Sequence, residues 1–393
     1  MTPVGASVKR IRETVRTSGP LWTASLVLDR LLPLAVLGLW RERTVSADVL
    51  HAQVVAILRA FDMPPEHVSI TADHMLYADL RGIDSHGCGM LLHYHRGFTT
   101  GSFRATPAII VERESATTAL IDGGGGLGHV PGDRAMRLAV AKCLDAGVGA
   151  VAVRNSGHYG AAGAYAAIAA RAGLIGVATT NTESPAVVPT LGAEAMLGTN
   201  PIAFAAPAQR NPMFLLDMAT STVPVGKLVL AARRGRAIPA GWAQDAGGKP
   251  VTSGRRAAAQ RRLTPLGSRR EMSSHKGYGL AAAVEILSSL LPGPRAGQEP
   301  RTHPRVGHFF LAVDPRRFRD PGEFEADLDR LIDSLRASKP LDAERPVLVA
   351  GDPERAALAE RSRSGIPLSR SVVEDIRWVA RATGAPFLLD PTP

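Results

Sequence analysis

Two histidines lie in segments unusually rich in glycine and polar side chains, Arg81-Gly82-Ile83-Asp84-Ser85-His86-Gly87 and Arg154-Asn155-Ser156-Gly157-His158-Tyr159-Gly160. An imidazole with an ordinary pKa near 6.5 can give or take a proton at neutral pH, the step that accompanies hydride transfer to or from a carbonyl. Ser85 adds a hydroxyl for a substrate oxygen, and Asp84, two residues before His86, is a candidate orienting carboxylate. On spacing alone His86 could equally cap the helix that precedes it. His158 falls at a strand-to-helix turn, where ligands gather in α/β sheets.

Other chemistries have less support. His93 and His95 are two residues apart, which points their rings away from each other on a helix, and there is no His-Glu-x-x-His. Two cysteines, Cys88 and Cys143, cannot build a disulfide framework or a four-thiolate metal site, so no metal is expected and a reducing cytoplasm fits. Neither a G-x-S-x-G elbow nor a Walker loop is present. The run Asp122-Gly123-Gly124-Gly125-Gly126-Leu127-Gly128 contains a formal G-x-G-x-x-G. A Rossmann unit needs an acid for the ribose after the next strand, where this chain has Arg154-Asn155, and Pro131 delays the following helix. The run therefore reads as a tight glycine turn, structural or substrate-facing.

The elements that must position these residues follow from periodicity. Leu50, Val54, Ile57, Leu58 and Phe61 recur at helical spacing behind the N-cap Ser46, and Val68, Ala72, Met75, Leu76 and Leu80 form a second stripe that Gly82 ends. Between 117 and 181 the chain alternates strand and helix: Thr117–Ile121, Asp133–Ala146, Val148–Val153, Ala161–Ala172 and Leu174–Thr180, an α/β grammar. Further strands are expected at Met213–Leu216, His308–Val313 and Val347–Ala350. Helices are expected at Tyr278–Leu290, at Phe324–Arg336 with Phe324, Leu328, Leu331 and Leu335 inward, and at Val372–Thr383. Residues 243–274 look polar, irregular and mobile. His275-Lys276 opens a helix, where amides and the ammonium could hold an anion.

Composition sets the class. Of the 393 residues 45% are hydrophobic and 21% charged, as in a globular chain. The net charge of +10 comes from scattered arginines with no interleaved aromatics, so no nucleic-acid partner is expected. Residues 1–44 carry seven basic and three acidic side chains, and Leu26–Trp40 is interrupted by Asp29 and Arg30. That stretch falls short of the about 20 residues needed to span a bilayer, which leaves a basic amphipathic extension.

Taken in order, Arg81–Gly87, Asp122–Gly128, Val151–Gly160, Thr180-Asn181, Leu197–Ala203, Asp217–Ser221, Lys276–Leu280, Val306–Phe310, Ala350–Asp352 and Gly365-Ile366-Pro367 resemble the type 2 malate/L-lactate dehydrogenase family. Its members include ureidoglycolate, sulfolactate and diketogulonate oxidoreductases and a cyclic-imine reductase. The likeness covers about 45–393. It implies an NAD- or NADP-dependent homodimer that interconverts a 2-hydroxy acid and its 2-oxo acid. The implied fold is α/β, a non-Rossmann cofactor-binding sheet domain with a second, helix-rich domain built from both chain ends. On that pattern 1–44 is an added extension, 45–120 with 300–393 form the helix-rich substrate and dimer domain, and 121–299 bind the cofactor. His86 or His158 is implied as the proton-transfer residue, with Tyr94 and Arg81 on the substrate side. Thr180, Asn181, Asp217, Met218, Ala219, Thr220, Ser221, His275, Lys276, Gly351 and Asp352 match positions that hold the dinucleotide.

One departure matters. Many relatives place an arginine four residues after the first histidine to clamp the substrate carboxylate, and here that residue is Met90, which leaves Arg96 or His93 to grip the acid. Two alternatives stand beside the dehydrogenase reading. One is reduction of a cyclic imine such as a piperideine or pyrroline carboxylate. The other is a non-catalytic relative that binds a nucleotide, or a partner through residues 1–44.

Overall fold

The apolar runs between residues 110 and 313 close into one seven-stranded sheet because their small residues let helices press against it. The computed structural model describes residues 43–233, 235–293 and 306–390. The chain divides into two units, Met1–Arg43 and Thr44–Pro393. Residues 1–42 of the basic extension lie outside the described residues.

In chain order the strands are β1 (Arg43–Val45), β2 (Ile110–Glu114), β3 (Thr118–Asp122), β4 (Val148–Ser156), β5 (Ile175–Thr180), β6 (Ile202–Ala206), β7 (Phe214–Met218), β8 (Val306–Val313) and β9 (Ile366–Leu368). The helices are α1 (Ala47–Arg59), α2 (Pro65–Leu80), α3 (Leu91–Thr99), α4 (His129–Ala146), α5 (Ala162–Arg171), α6 (Val225–Arg233), α7 (Gly254–Gln260), α8 (Ser274–Glu285), α9 (Glu323–Ala337), α10 (Asp352–Ser364) and α11 (Arg370–Thr383). The sheet order is β2-β3-β4-β8-β5-β6-β7, and β1 pairs with β9 in a separate two-stranded sheet.

Only β3 and β4 pair in parallel; every other neighbouring pair of the large sheet is antiparallel. The β-α-β grammar is correct in direction, since β3, β4 and β5 run the same way. The late strand β8 inserts between β4 and β5, with His308 opposite Val153 on one side and Thr180 on the other. This is not a Rossmann sheet. It also means that β2, β3 and β8 share one sheet, although the boundaries read from sequence at 120/121 and 299/300 assign β2 and β8 elsewhere.

The ends of β3, β4, β5 and β7 and the beginnings of β6 and β8 therefore share one edge. Asp122, Ser156, Thr180, Met218, Ile202 and Val306 all stand there, so the motifs that follow or precede them converge although they are far apart in sequence. Three cores hold this in place. One joins α1, α2 and α3 to Ile366, Leu368 and α11, and includes Phe103 and Leu127. A second packs α4 and α5 on the sheet through Met136, Cys143, Tyr165 and a run of alanines. The third gathers Ala186, Val187, Val223, Leu228, Ile238, Val251 and Leu263.

That third core corrects the reading of residues 243–274 as mobile loop. Val251, Ala257 and Leu263 are buried there, α7 lies within it, and backbone bridges join Ala243 to Leu263 and Ala237 to Ser253. Other expectations shift as well. Val347–Ala350 is not a strand; it touches the sheet through one hydrogen bond, from the Leu215 amide to the Ala350 carbonyl. Leu331 and Leu335 of α9 are exposed, while Asp329 is buried to accept the Arg210 and Asn211 amides. Pro131 sits in the first turn of α4, where a missing N–H costs nothing, so the helix starts at His129. Val373, Ile376, Val379 and Ala380 of α11 are buried as the stripe requires. Cys88 and Cys143 are free and buried. No helix among the described residues is long and apolar enough to cross a membrane.

The close approach of helix to sheet depends on absent side chains. A Cβ on Gly149 of β4 would stand 2.0 Å from the Ala139 carbonyl oxygen of α4, and one on Gly176 of β5 would stand 2.5 Å from that of Ala166 in α5. Gly149→Ala should lower the unfolding free energy by about 1–3 kcal/mol. Urea unfolding measures it, and an unchanged midpoint and slope would refute the packing argument.

Candidate active site

His86 and His158 meet at the shared sheet edge. Their ring centroids are 5.4 Å apart and the planes differ by 24°, an offset stack. His86 comes from the loop after α2, which Gly82 turns with φ +75°. Beneath that loop Asp79 is buried and accepts the Cys88 amide at 2.7 Å. Burial pushes Asp79 up to about 7. Gly87 passes so close to this carboxyl that a Cβ would stand 1.9 Å from Oδ1.

His158 comes from the turn after β4, and the glycine run holds that turn. The amides of Gly123, Gly125 and Gly128 donate to the carbonyls of Arg154, Asn155 and His158 at 2.9, 2.8 and 2.9 Å. Asp122 Oδ1 accepts the Gly124 amide and the Asn155 side chain. The formal dinucleotide fingerprint is thus a structural clasp, with these amides engaged by the protein rather than free for a phosphate.

Each imidazole is tethered through Nδ1. Ser85 Oγ lies 2.7 Å from Nδ1 of His86. Nδ1 of His158 accepts the Tyr94 hydroxyl at 2.8 Å and the Gly160 amide at 3.3 Å, so the neutral ring carries its proton on Nε2. Neither Nε2 has a protein partner among the described residues. Burial lowers His86 to about 4 and holds His158 well below the usual imidazole range, with His86, His129, His93 and His308 adding to the latter. Both rings are uncharged at neutral pH.

The remaining expected residues divide into those at the pair and those away from it. Tyr94 is fully buried on α3 and faces His158. His93, beside it, sets its ring edge-on to His158 at 6.3 Å. Asp84 does not orient His86: its carboxylate pairs with Arg361 of α10, which also donates to the Asp79 carbonyl. Arg81 folds back over the Tyr77 ring, 3.7 Å from its centroid, and donates to the Tyr77 carbonyl.

Several residues of the expected dinucleotide set are engaged internally. Thr180 Oγ1 donates to the Gly307 carbonyl and stands 2.8 Å from Nδ1 of His308, while Asn181 Oδ1 accepts the Gly307 amide. Asp217 accepts the Gly163 amide at 2.7 Å in the first turn of α5, and burial raises it to about 6. Met218 ends β7 opposite Ile202, and Ala219 leads into Thr220 and Ser221. Those two hydroxyls donate to the carbonyls of Thr199, Asn200 and Val223. Gly351, at φ +94°, precedes α10, whose first residue Asp352 pairs with Arg336 and Arg355. Burial works against its charge, but hydrogen bonds from Arg336, the Val349 amide and Arg355 hold Asp352 at about 2. His275 and Lys276 stand exposed in the first turn of α8.

Sequence reasoning missed a second ring of residues. Glu285 accepts from the side chains of both Asn181 and Asn200. Asn200 is fully buried with φ +34°, and its Oδ1 has no partner. His308 is buried, stands 2.9 Å from Ser156 Oγ through Nε2, and stacks on Tyr159 at 4.5 Å. His129 is fully buried 6.5 Å from His158. Gly226, in the first turn of α6, would put a Cβ 3.4 Å from Ser85. Asn200 lies in the Leu197–Ala203 motif just before β6 and His308 lies near the start of β8, whereas Glu285, Gly226 and His129 carried no sequence signal. Among the described residues, no group of three or more His, Cys, Asp or Glu is placed to hold a metal ion.

The sequence profile of the malate/L-lactate dehydrogenase family matches residues 45–377. The chain belongs to this family. A malate dehydrogenase of Pyrococcus horikoshii is 40% identical over 345 residues, covering 86% of this chain and 95% of that protein. An L-sulfolactate dehydrogenase of Methanothermobacter thermautotrophicus is 40% identical over 331 residues, 83% of this chain and 93% of its own length. The crystal structure of malate dehydrogenase from Entamoeba histolytica superposes with a TM-score of 0.83 at 32% identity, covering 88% of this chain and 99% of that one. The family members share the mixed α/β architecture described above.

Proposed function

We propose that this protein is a nicotinamide-dependent oxidoreductase that interconverts a 2-hydroxy acid and its 2-oxo acid. The observation that carries the reading is the stacked imidazole pair, both rings tethered at Nδ1 with Nε2 open, at the edge where six strand termini meet. The fit to a dinucleotide rests on two features. Lys276 and His275 in the first turn of α8 suit an anionic pyrophosphate, and the unpartnered buried Oδ1 of Asn200 suits an amide N–H. The nicotinamide, NAD or NADP, supplies the hydride when bound.

The protein's part is proton handling and orientation. His158 Nε2–H faces the oxygen that becomes the hydroxyl, and His86 presents its own Nε2 beside it. Ser85 fixes the His86 ring from behind. Thr180, Asn181, Asp217, Thr220 and Ser221 act on the dinucleotide through the backbone they fix, since their side chains are already bonded within the protein, and Met218 and Ala219 lie in the same segment. Arg81, Asp84, Gly351 and Asp352 shape the loops around the site. With methionine at 90, the substrate carboxylate falls to His93 and Arg96, which lie close enough for the Arg96 charge to act on His93. The family resemblance adds a homodimeric assembly in the cytoplasm.

Purified protein with NADH or NADPH should reduce at least one of a panel of 2-oxo acids including oxaloacetate, pyruvate and sulfopyruvate. Turnover confined to cyclic imines would favour a piperideine or pyrroline carboxylate reductase, and cofactor binding with no turnover a non-catalytic relative. His93→Ala and Arg96→Ala should each raise KM for the acid about tenfold or more with little change in kcat; an unaltered KM in both would place the carboxylate elsewhere. Histidine-selective NMR titration should show neither His86 nor His158 gaining a proton between about pH 8 and about pH 5. The lowered values keep both rings neutral until the pH falls toward 4 for His86, and a midpoint near 6.5 for either would contradict the burial described.

A further inference from the structure

His129 is the buried side chain that the site leaves unexplained. It is wholly inaccessible, and neither ring nitrogen has a hydrogen-bond partner. Buried polar atoms are paired in nearly all folded proteins, so two orphaned nitrogens on one ring point to small polar occupants such as water. The ring stands edge-on to Tyr94 at 5.7 Å and 6.1 Å from the ring of His74 on α2. His74 in turn places Nε2 3.4 Å from Asp133 Oδ1.

The placement on α4 is directional. His129, Asp133 and Arg137 recur at every fourth residue, one face of the helix. Along that face exposure rises from none at His129, through a side chain 9% accessible at Asp133, to 66% at Arg137, which ion-pairs with Asp133. The imidazole of His129 and the carboxylate of Asp133 thus lie on a row that leads from behind Tyr94 to the surface, with the permanently charged Arg137 at its outer end.

This row answers a chemical need that rests on the dehydrogenase reading. Reduction of a 2-oxo acid consumes one hydride and one proton. A neutral His158 that gives up its Nε2 proton would be left as an imidazolate unless Nδ1 gained a proton in the same step. The Tyr94 hydroxyl, bonded to Nδ1, is the group placed to supply it.

We infer that Tyr94, His129, His74 and Asp133 form a proton relay between His158 and solvent. In the reduction direction the Nε2 proton passes to the substrate oxygen, the Tyr94 proton passes to Nδ1, and Tyr94 is reprotonated through water held at His129. His129 is replenished by way of His74 and Asp133. Once product leaves, Nε2 takes a proton from the open site while Nδ1 returns its own to Tyr94 and one leaves along the row, which restores the Nε2–H tautomer. A net one proton thus enters from solvent for each hydride delivered, and no ring gains net charge. In oxidation the same transfers run in reverse. His129, His74 and Asp133 are positioning residues here, acting through Tyr94 and His158 without touching substrate.

The test uses the full-length protein with its nicotinamide cofactor and the 2-oxo acid that the wild type reduces fastest. His129→Phe should lower kcat by about a hundredfold with KM little changed. The solvent isotope effect on kcat should rise, and added imidazole or another small buffer should restore turnover in proportion to its concentration at fixed pH. Asp133→Asn, and His74→Phe should His129→Phe fail to fold, should show the same buffer-dependent defect. Wild-type kcat in these variants, or a loss that no buffer restores, overturns the relay. A wild-type protein that turns over no substrate overturns the dehydrogenase reading itself and the relay with it.

Discussion

Two loops from different parts of the chain can bring their imidazoles within 5.4 Å only because the backbone carries no side chains where the loops are clamped. A Cβ on Gly128 would fall 2.3 Å from the Gly157 carbonyl oxygen and 2.8 Å from Nε2 of His308. One on Gly157 would fall 2.7 Å from the Phe103 ring, and one on Gly160, at φ +78°, 3.0 Å from Nε2 of His129. Gly87 is as tightly confined over Asp79 on the other side. Glycine at these positions is a steric requirement, and the hydrogen bonds of the clasp form because the backbones can approach that far. The reactive geometry rests on this packing.

What the sequence revealed and what it hid follow from the range of the forces involved. Local period and turn chemistry were enough to find α1, α2, α4, α5 and α11, and the strands β3, β4, β5, β7 and β8 to within a few residues. They were also enough to place both histidines at the ends of regular elements. The order of strands was not accessible, because β8 pairs with β4 and β5 through contacts more than 120 residues away in sequence, which no window can see. Asp84 illustrates the same limit at one side chain. Its spacing from His86 suggested an orienting role, yet a guanidinium 277 residues later takes the carboxylate. α9 shows that an apolar stripe does not identify the covered face, since amide donors from Arg210 and Asn211 draw Asp329 inward instead. His129, His74 and Asp133 gave no signal, because a buried polar row reads as an ordinary break in helical periodicity.

The electrostatics of the site differ from what the net charge of +10 would suggest. Most arginines with named partners pair with carboxylates at or near the surface, as Arg210 does with Asp333, Arg316 with Asp314 and Arg377 with Asp390. The interior at the sheet edge holds imidazoles and phenols stacked on one another, His308 on Tyr159, Tyr159 on Tyr165, and Tyr165 on His74. In such a medium an added charge is expensive, so groups that can exchange a proton without changing charge are favoured over an imidazolium and carboxylate pair.

That preference bears on how an anionic acid could be accommodated where relatives use arginine. A guanidinium at position 90, the N-cap of the helix that carries Tyr94, would place a permanent charge one turn from the residue bonded to His158 and lower the proton affinity of that ring further. With Met90 packed partly into the helical core, the fixed positive charge withdraws to Arg96, nearly two turns further along α3. An anionic acid bound there would then supply the principal charge near the imidazoles, and its field would raise their proton affinity. On this reasoning the methionine does not remove the anchor so much as separate two tasks, holding the anion and setting the proton affinity of the rings. In a site with arginine at 90 both tasks fall to one residue.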